Sequence, residues 1–86
     1  MSRREAKKNK IRNESKPKLD LHGSTYDEAK ILTEDFALEQ QYNLPVDIIT
    51  GNSEDMKMIV KQVLNYYGFN FQEGDFHNPG YIKITS

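Results

Sequence analysis

Leu19-Asp20-Leu21-His22-Gly23 alternates apolar and polar side chains and then breaks on a glycine. Successive side chains of an extended strand point to opposite faces, so Asp20 and His22 share one side while Leu19 and Leu21 face whatever covers the sheet. Gly23 permits a sharp turn, and Thr25-Tyr26-Asp27-Glu28 supplies the hydroxyl and the carboxylate, three residues apart, of a capping box that opens a helix. The polar pair is thereby delivered to the C-terminal rim of a strand, the place where open α/β sheets hold ligands.

Working outward, the pattern predicts a strand over Lys18–His22 and a helix over Tyr26–Tyr42 with a buried stripe of Ala29, Leu32, Phe36 and Ala37. Asn43-Leu44-Pro45 stops that helix, and the β-branched run Val46-Asp47-Ile48-Ile49-Thr50 predicts a second strand that leaves through Gly51-Asn52-Ser53. Ser53, with Glu54 and Asp55 behind it, is a good N-cap for a second helix. Met56, Ile59, Val60, Val63, Leu64 and Tyr67 fall on one face of that helix with Lys57 and Lys61 off it, and Gly68 ends it. Phe69–Glu73 and Gly80–Thr85 alternate as strands around a loop at 74–79. The order β-α-β-α-β-β predicts an α/β fold on a four-stranded mixed sheet, with the first three strands parallel and the last antiparallel. The loops after the first three strands should then meet at one rim, where both helix starts present free N–H groups suited to an anion.

Charge divides the chain more sharply than its net −1 suggests. Residues 1–18 hold eight Lys and Arg against two Glu, a net +6, and the remainder four Lys against eleven acids, a net −7. Residues 1–17 carry little apolar area to offset the entropy of ordering, so they are expected to form a flexible basic arm ahead of a domain over 18–86. Arg3, Arg4, Lys7, Lys8, Lys10 and Arg12 are its candidate phosphate contacts; a plain solubilising tail explains them equally well. With no Cys, neither a disulfide framework nor a thiolate metal site can form. No apolar run approaches a membrane span and the N-terminus lacks a signal-peptide core, so a soluble cytoplasmic protein is the expectation.

Leu19-Asp20-Leu21-His22-Gly23 before a capped helix, then a β-branched strand ending Ile49-Thr50-Gly51, resembles the Smr (small MutS-related) domain from about Lys18 to the C-terminus. The resemblance implies a compact two-layer α/β sandwich that binds nucleic acid, and in some members nicks DNA or cleaves RNA. It assigns catalytic roles to Asp20 and His22 and, through a later basic position, to Lys57. The second motif departs from the family's His-Gly-x-Gly turn and Leu-Arg pair: here it reads Thr50-Gly51-Asn52-Ser53, then Met56-Lys57, one residue shorter.

From the residues themselves, His22 is a candidate general acid or base near neutral pH, with Asp20 orienting it. On the residues alone the plainer alternative is favoured, in which Asp20 caps a turn while His22 bonds to backbone and fixes the bend; the family resemblance tips the reading toward chemistry. Gly23, Thr25, Gly51, Asn52 and Ser53, with His77 and Asn78 of the 74–79 loop, are the candidate nucleic-acid contacts at the rim. Asp20, Asp75 and the two histidines could hold a divalent cation, although no fixed spacing marks a metal site and the cofactor stays open. Phe69, Phe71 and Tyr81 suit a base-stacking platform or, in a domain this small, the core. Two functions follow: a structure-selective endonuclease using Asp20 and His22, or a non-catalytic nucleic-acid-binding or adaptor module.

Overall fold

The computed structural model describes residues 16–74 and 77–86. Its elements are β1 (Lys18–Asp20), α1 (Tyr26–Gln40), β2 (Val46–Ile49), α2 (Glu54–Tyr66), β3 (Phe71–Glu73) and β4 (Tyr81–Ile84). Together they make an α/β fold on a four-stranded mixed sheet. Strand order is β1-β2-β4-β3, with β1 parallel to β2 and β4 antiparallel to both of its neighbours. The first three strands therefore run the same way, and β4 returns between the second and third.

Both helices begin as the local sequence dictates. Thr25 Oγ1 accepts the Glu28 N–H at 3.1 Å while Glu28 Oε1 accepts the Thr25 N–H at 2.8 Å, completing the capping box. Ser53 Oγ accepts the Met56 N–H at 3.1 Å at the start of α2. At its other end α2 closes in a Schellman motif: Gly68, at φ +79°, donates to the Asn65 carbonyl and Phe69 donates to that of Leu64. That closure holds Phe69 against the helix end, so β3 starts at Phe71 instead of Phe69. Likewise α1 stops at Gln40, short of Tyr42, because the Asn43 N–H turns back to the Gln40 carbonyl at 2.8 Å.

Register decides which side chains meet. Val46 lies opposite Ile84 and Ile48 opposite Ile82, and all four are buried with Leu21, Ala29, Phe36, Ala37, Met56, Val60 and Leu64. Removing each Leu, Ile or Val side chain from water contributes roughly 1.5–3 kcal/mol. Phe69 and Phe71 pack against this cluster from the β3 side. One residue out of phase, Asp47, Ile49, Tyr81 and Lys83 are only partly buried on the opposite face. There Lys18, Asp47, Lys83 and Gln72 form one cross-strand row, with Lys83 Nζ 3.3 Å from Asp47 Oδ1.

Two details of the helix faces differ from the sequence pattern. In α1 the buried stripe is Ala29, Thr33, Phe36 and Ala37, whereas Leu32 is 39% exposed. Thr33 is four residues from both Ala29 and Ala37 and so lies squarely on their line; Leu32 falls to one side. In α2, Lys57 belongs to the buried set at 5% exposure, while Tyr67 is 38% exposed. The hydroxyl of Tyr67 donates to the Glu34 carboxylate, tying α2 to α1. That bond, with lesser help from burial and nearby acids, pushes the phenol's pKa up from 10.0 to about 12.

Candidate functional site

The rim is assembled from three turns. β1 ends at Asp20, Leu21 extends its ladder by donating to the Ile49 carbonyl at 2.9 Å, and Gly23 bends the chain at φ +84° into α1. β2 ends at Ile49, and the N–H groups of Thr50 and Gly51 both donate to the Gly80 carbonyl at 2.9 Å. Gly80 lies beside the turn, where a Cβ would make ordinary contact at 3.4 Å with the Gly51 backbone and 3.6 Å with Asn52 Oδ1. The β3–β4 loop returns through Asn78, whose Oδ1 accepts the Gly80 N–H at 3.4 Å. Gly23, Gly51, Asn52, Ser53, Asn78 and Gly80 thus gather at one end of the sheet with both helix N-termini, as the strand directions require.

His22 is exposed at that end, and Leu21, its predecessor, is buried and anchors it. Asp20 Oδ1 accepts the backbone N–H of His22 at 2.9 Å. The carboxylate therefore braces the turn that carries the histidine, which is the capping role the residues alone left open. Thr25 commits its hydroxyl to the α1 cap and Ser53 to the α2 cap. Their backbone positions remain at the rim, while the hydroxyl oxygens already serve the helices.

Lys57 is placed differently from the expectation that it stands off the buried face. Its side chain is 7% exposed and its Nζ is 3.6 Å from the Glu54 carboxylate, an i,i+3 pair on the first turn of α2. A lysine at this point of a helix is disfavoured by the dipole, and the aliphatic stem gains by lying against protein; the nearby Glu54 and Asp55 offset the charge. One turn further, Lys61 Nζ meets Glu73 Oε2 at 3.0 Å and ties α2 to β3.

His77 and Asn78 are exposed. Arg3, Arg4, Lys7, Lys8, Lys10 and Arg12, and also Asp75, lie outside the described residues. Among the described residues no group of three or more His, Asp or Glu side chains is placed to hold a metal ion. No helix among them is long and apolar enough to cross a membrane.

Two hollows mark the surface, and neither is lined by His22, Asn52 or Asn78. One, of about 500 Å³, runs between α1 and α2 past Tyr26, Glu34, Val63, Tyr66 and Tyr67. The other, of about 260 Å³, sits where β1 and β2 begin and is lined by Lys16, Pro17, Lys18, Pro45, Val46, Asp47 and Lys83. Sequence reasoning missed this lysine hollow, because the register that joins Lys18 to Lys83 through Asp47 is a long-range fact. The signal for Tyr81 was present: it is out of phase with Ile82 and Ile84, so it cannot share their buried face. Comparison with protein-family models, with curated proteins and with solved structures finds no match to this chain.

Proposed function

We propose that this chain is a cytoplasmic, Smr-like nucleic-acid-binding domain with a two-layer α/β architecture, whose rim receives a phosphodiester beside His22. The observation that carries the reading is the convergence of His22, the Gly51-Asn52-Ser53 turn and the Asn78–Gly80 segment with two helix N-termini. Helix starts favour anions, and a solvent-facing imidazole can give or take a proton near neutral pH. In this reading His22 is the proton-transfer group of a structure-selective endonuclease acting on DNA or RNA. Asp20 is a positioning residue that fixes the His22 backbone, and Lys57 supplies positive potential from beneath the α2 start.

A second reading, a non-catalytic binding or adaptor module, is favoured by one specific observation. Asp20 is engaged by backbone and Lys57 by Glu54, which leaves His22 as the sole member of the trio facing outward uncommitted among the described residues. The two readings separate in a cleavage assay on supercoiled plasmid and structured RNA with the full chain and His22→Ala, alongside a binding assay. Cleavage by the wild type that disappears in His22→Ala, with binding unchanged, is the expected result. Equal cleavage by both proteins would remove His22 from the chemistry, and binding without cleavage by either would establish the adaptor reading.

A further inference from the structure

The partly exposed face of the sheet is unlike the rest of the surface. The outer side of α1 carries Asp27, Glu28, Glu34, Asp35 and Glu39 against Lys30, and it repels a polyanion. On the sheet face the balance reverses at the end remote from the rim, where Lys16, Lys18 and Lys83 surround the 260 Å³ hollow with Asp47 as its one carboxylate. Lys83 is paired to Asp47 at 3.3 Å and Lys16 Nζ donates to the Asn43 carbonyl at 3.1 Å, but Lys18 is exposed with no ion pair among the described residues. Among the described residues the hollow therefore keeps uncompensated positive charge.

Between the hollow and the rim lies an aromatic step. Tyr81 stands opposite Ile49 in register, and its backbone carbonyl accepts the Gly74 N–H at 2.7 Å. A Cβ on Gly74 would collide with the Asn78 carbonyl oxygen and come within 3.0 Å of Tyr81 Cδ1, so the absent side chain leaves room for both the returning loop and the edge of the ring. From Lys18 to Asp20 is two residues of strand, about 7 Å at the usual strand rise, and His22 follows on the turn beyond. Cationic hollow and tyrosine thus follow one another along a single face, and the exposed histidine stands on the turn at its rim end.

We infer that this face is a track for a single nucleic-acid strand, its backbone held at the Lys16–Lys18–Lys83 hollow, a base stacked on Tyr81, and a phosphodiester brought to His22. The inference rests on the nucleic-acid reading above and goes further by naming the substrate as unpaired. An aromatic side chain on a sheet face can stack only a base that is free of its own duplex neighbours. Duplex would offer this face phosphates alone.

The test uses the full chain, which contains no Trp, so Tyr81→Trp introduces a single indole on the track and Tyr66→Trp a control on the helix side, where Tyr66 is 82% exposed. Each is titrated with oligothymidylate and with the matching duplex, and binding of Lys18→Gln is followed by fluorescence anisotropy across a salt series. Saturable quenching in Tyr81→Trp by the single strand, none in Tyr66→Trp, and a salt slope flatter by about 0.7 in Lys18→Gln are expected. Tyr81→Ala should bind the single strand roughly 5- to 150-fold more weakly, the usual range for losing one stacked base. Tight binding of the oligonucleotide with no quenching at position 81 and an unchanged Lys18→Gln slope would overturn the track and leave nucleic-acid binding standing. Failure of the wild type to bind either strand form would overturn both.

Discussion

Thr33 offers the sharpest energetic test of the packing. It is 0% exposed in the middle of α1, and its Oγ1 is buried without a hydrogen-bond partner. A buried hydroxyl that bonds to nothing costs about 1–3 kcal/mol in desolvation. Val has the same branched shape and nearly the same helix propensity, so Thr33→Val removes that cost without emptying space. The methyl that replaces the hydroxyl adds roughly 0.8 kcal/mol of apolar burial. Allowing for imperfect fit, the variant should be more stable by about 1–2 kcal/mol, and each kcal/mol moves Tm by about 4–8 °C in a chain of this size. Urea unfolding followed by far-ultraviolet circular dichroism reads the change as a higher midpoint at constant slope. Thr33→Ser, which keeps the hydroxyl and deletes the methyl, is the control and should fall below wild type. A less stable Thr33→Val would refute the reasoning, because it would mean that the hydroxyl stabilises the fold by bonding to a helix carbonyl.

Leu64, fully buried on α2 and clasped by the Schellman closure through its carbonyl, should cost roughly 2–5 kcal/mol on substitution to Ala; a loss under about 1 kcal/mol in the same urea assay would contradict its central place. Tyr67 carries an alkaline signature. Its folded pKa of about 12 lies above the ordinary 10.0, so the Glu34 bond stabilises the fold fully below pH 10 and that contribution fades as pH rises to 12. Tyr67→Phe should therefore lose stability at neutral pH relative to wild type and converge with it near pH 12, and parallel curves across that window would defeat the assignment. Removing residues 2–17 should flatten the salt dependence of duplex binding by about 0.9 for each phosphate that the arm had neutralised, read by anisotropy over a salt series, whereas unchanged affinity would reassign the arm's charges to solubility.

The elements that sequence revealed best were those with one strong period. In α2 the apolar spacing and the Ser53 and Gly68 boundaries agreed, and β2 and β4 each showed their buried phase through Val46, Ile48, Ile82 and Ile84. Ambiguity entered where residue type and position disagreed. Thr33 is polar by type and core by place, so Leu32 stood in for it. Lys57 reads as a surface residue from its charge, yet its long stem lets it lie down on the protein. The rim was legible as a meeting of loops because strand direction follows from the β-α-β order. What the Asp20 carboxylate holds was not, since imidazole and backbone N–H are both within reach of it until the turn geometry is known. The lysine hollow needed the pairing register, which only the folded sheet supplies.

The position of β4 also governs how this domain can be made. Ile82 and Ile84, both 0% exposed, sit between β2 and β3, although they follow both of those strands in the sequence. A nascent chain grows at about 5–20 residues per second, and until β4 appears β3 has no strand to pair with and the β2 edge stays open. Helices can form early, but the sheet closes only after Ile84 emerges. Folding of the domain thus waits for β4, and a polypeptide cut before Tyr81 has two newly unpaired strand edges and an incomplete core, a ready target for chaperones and proteases.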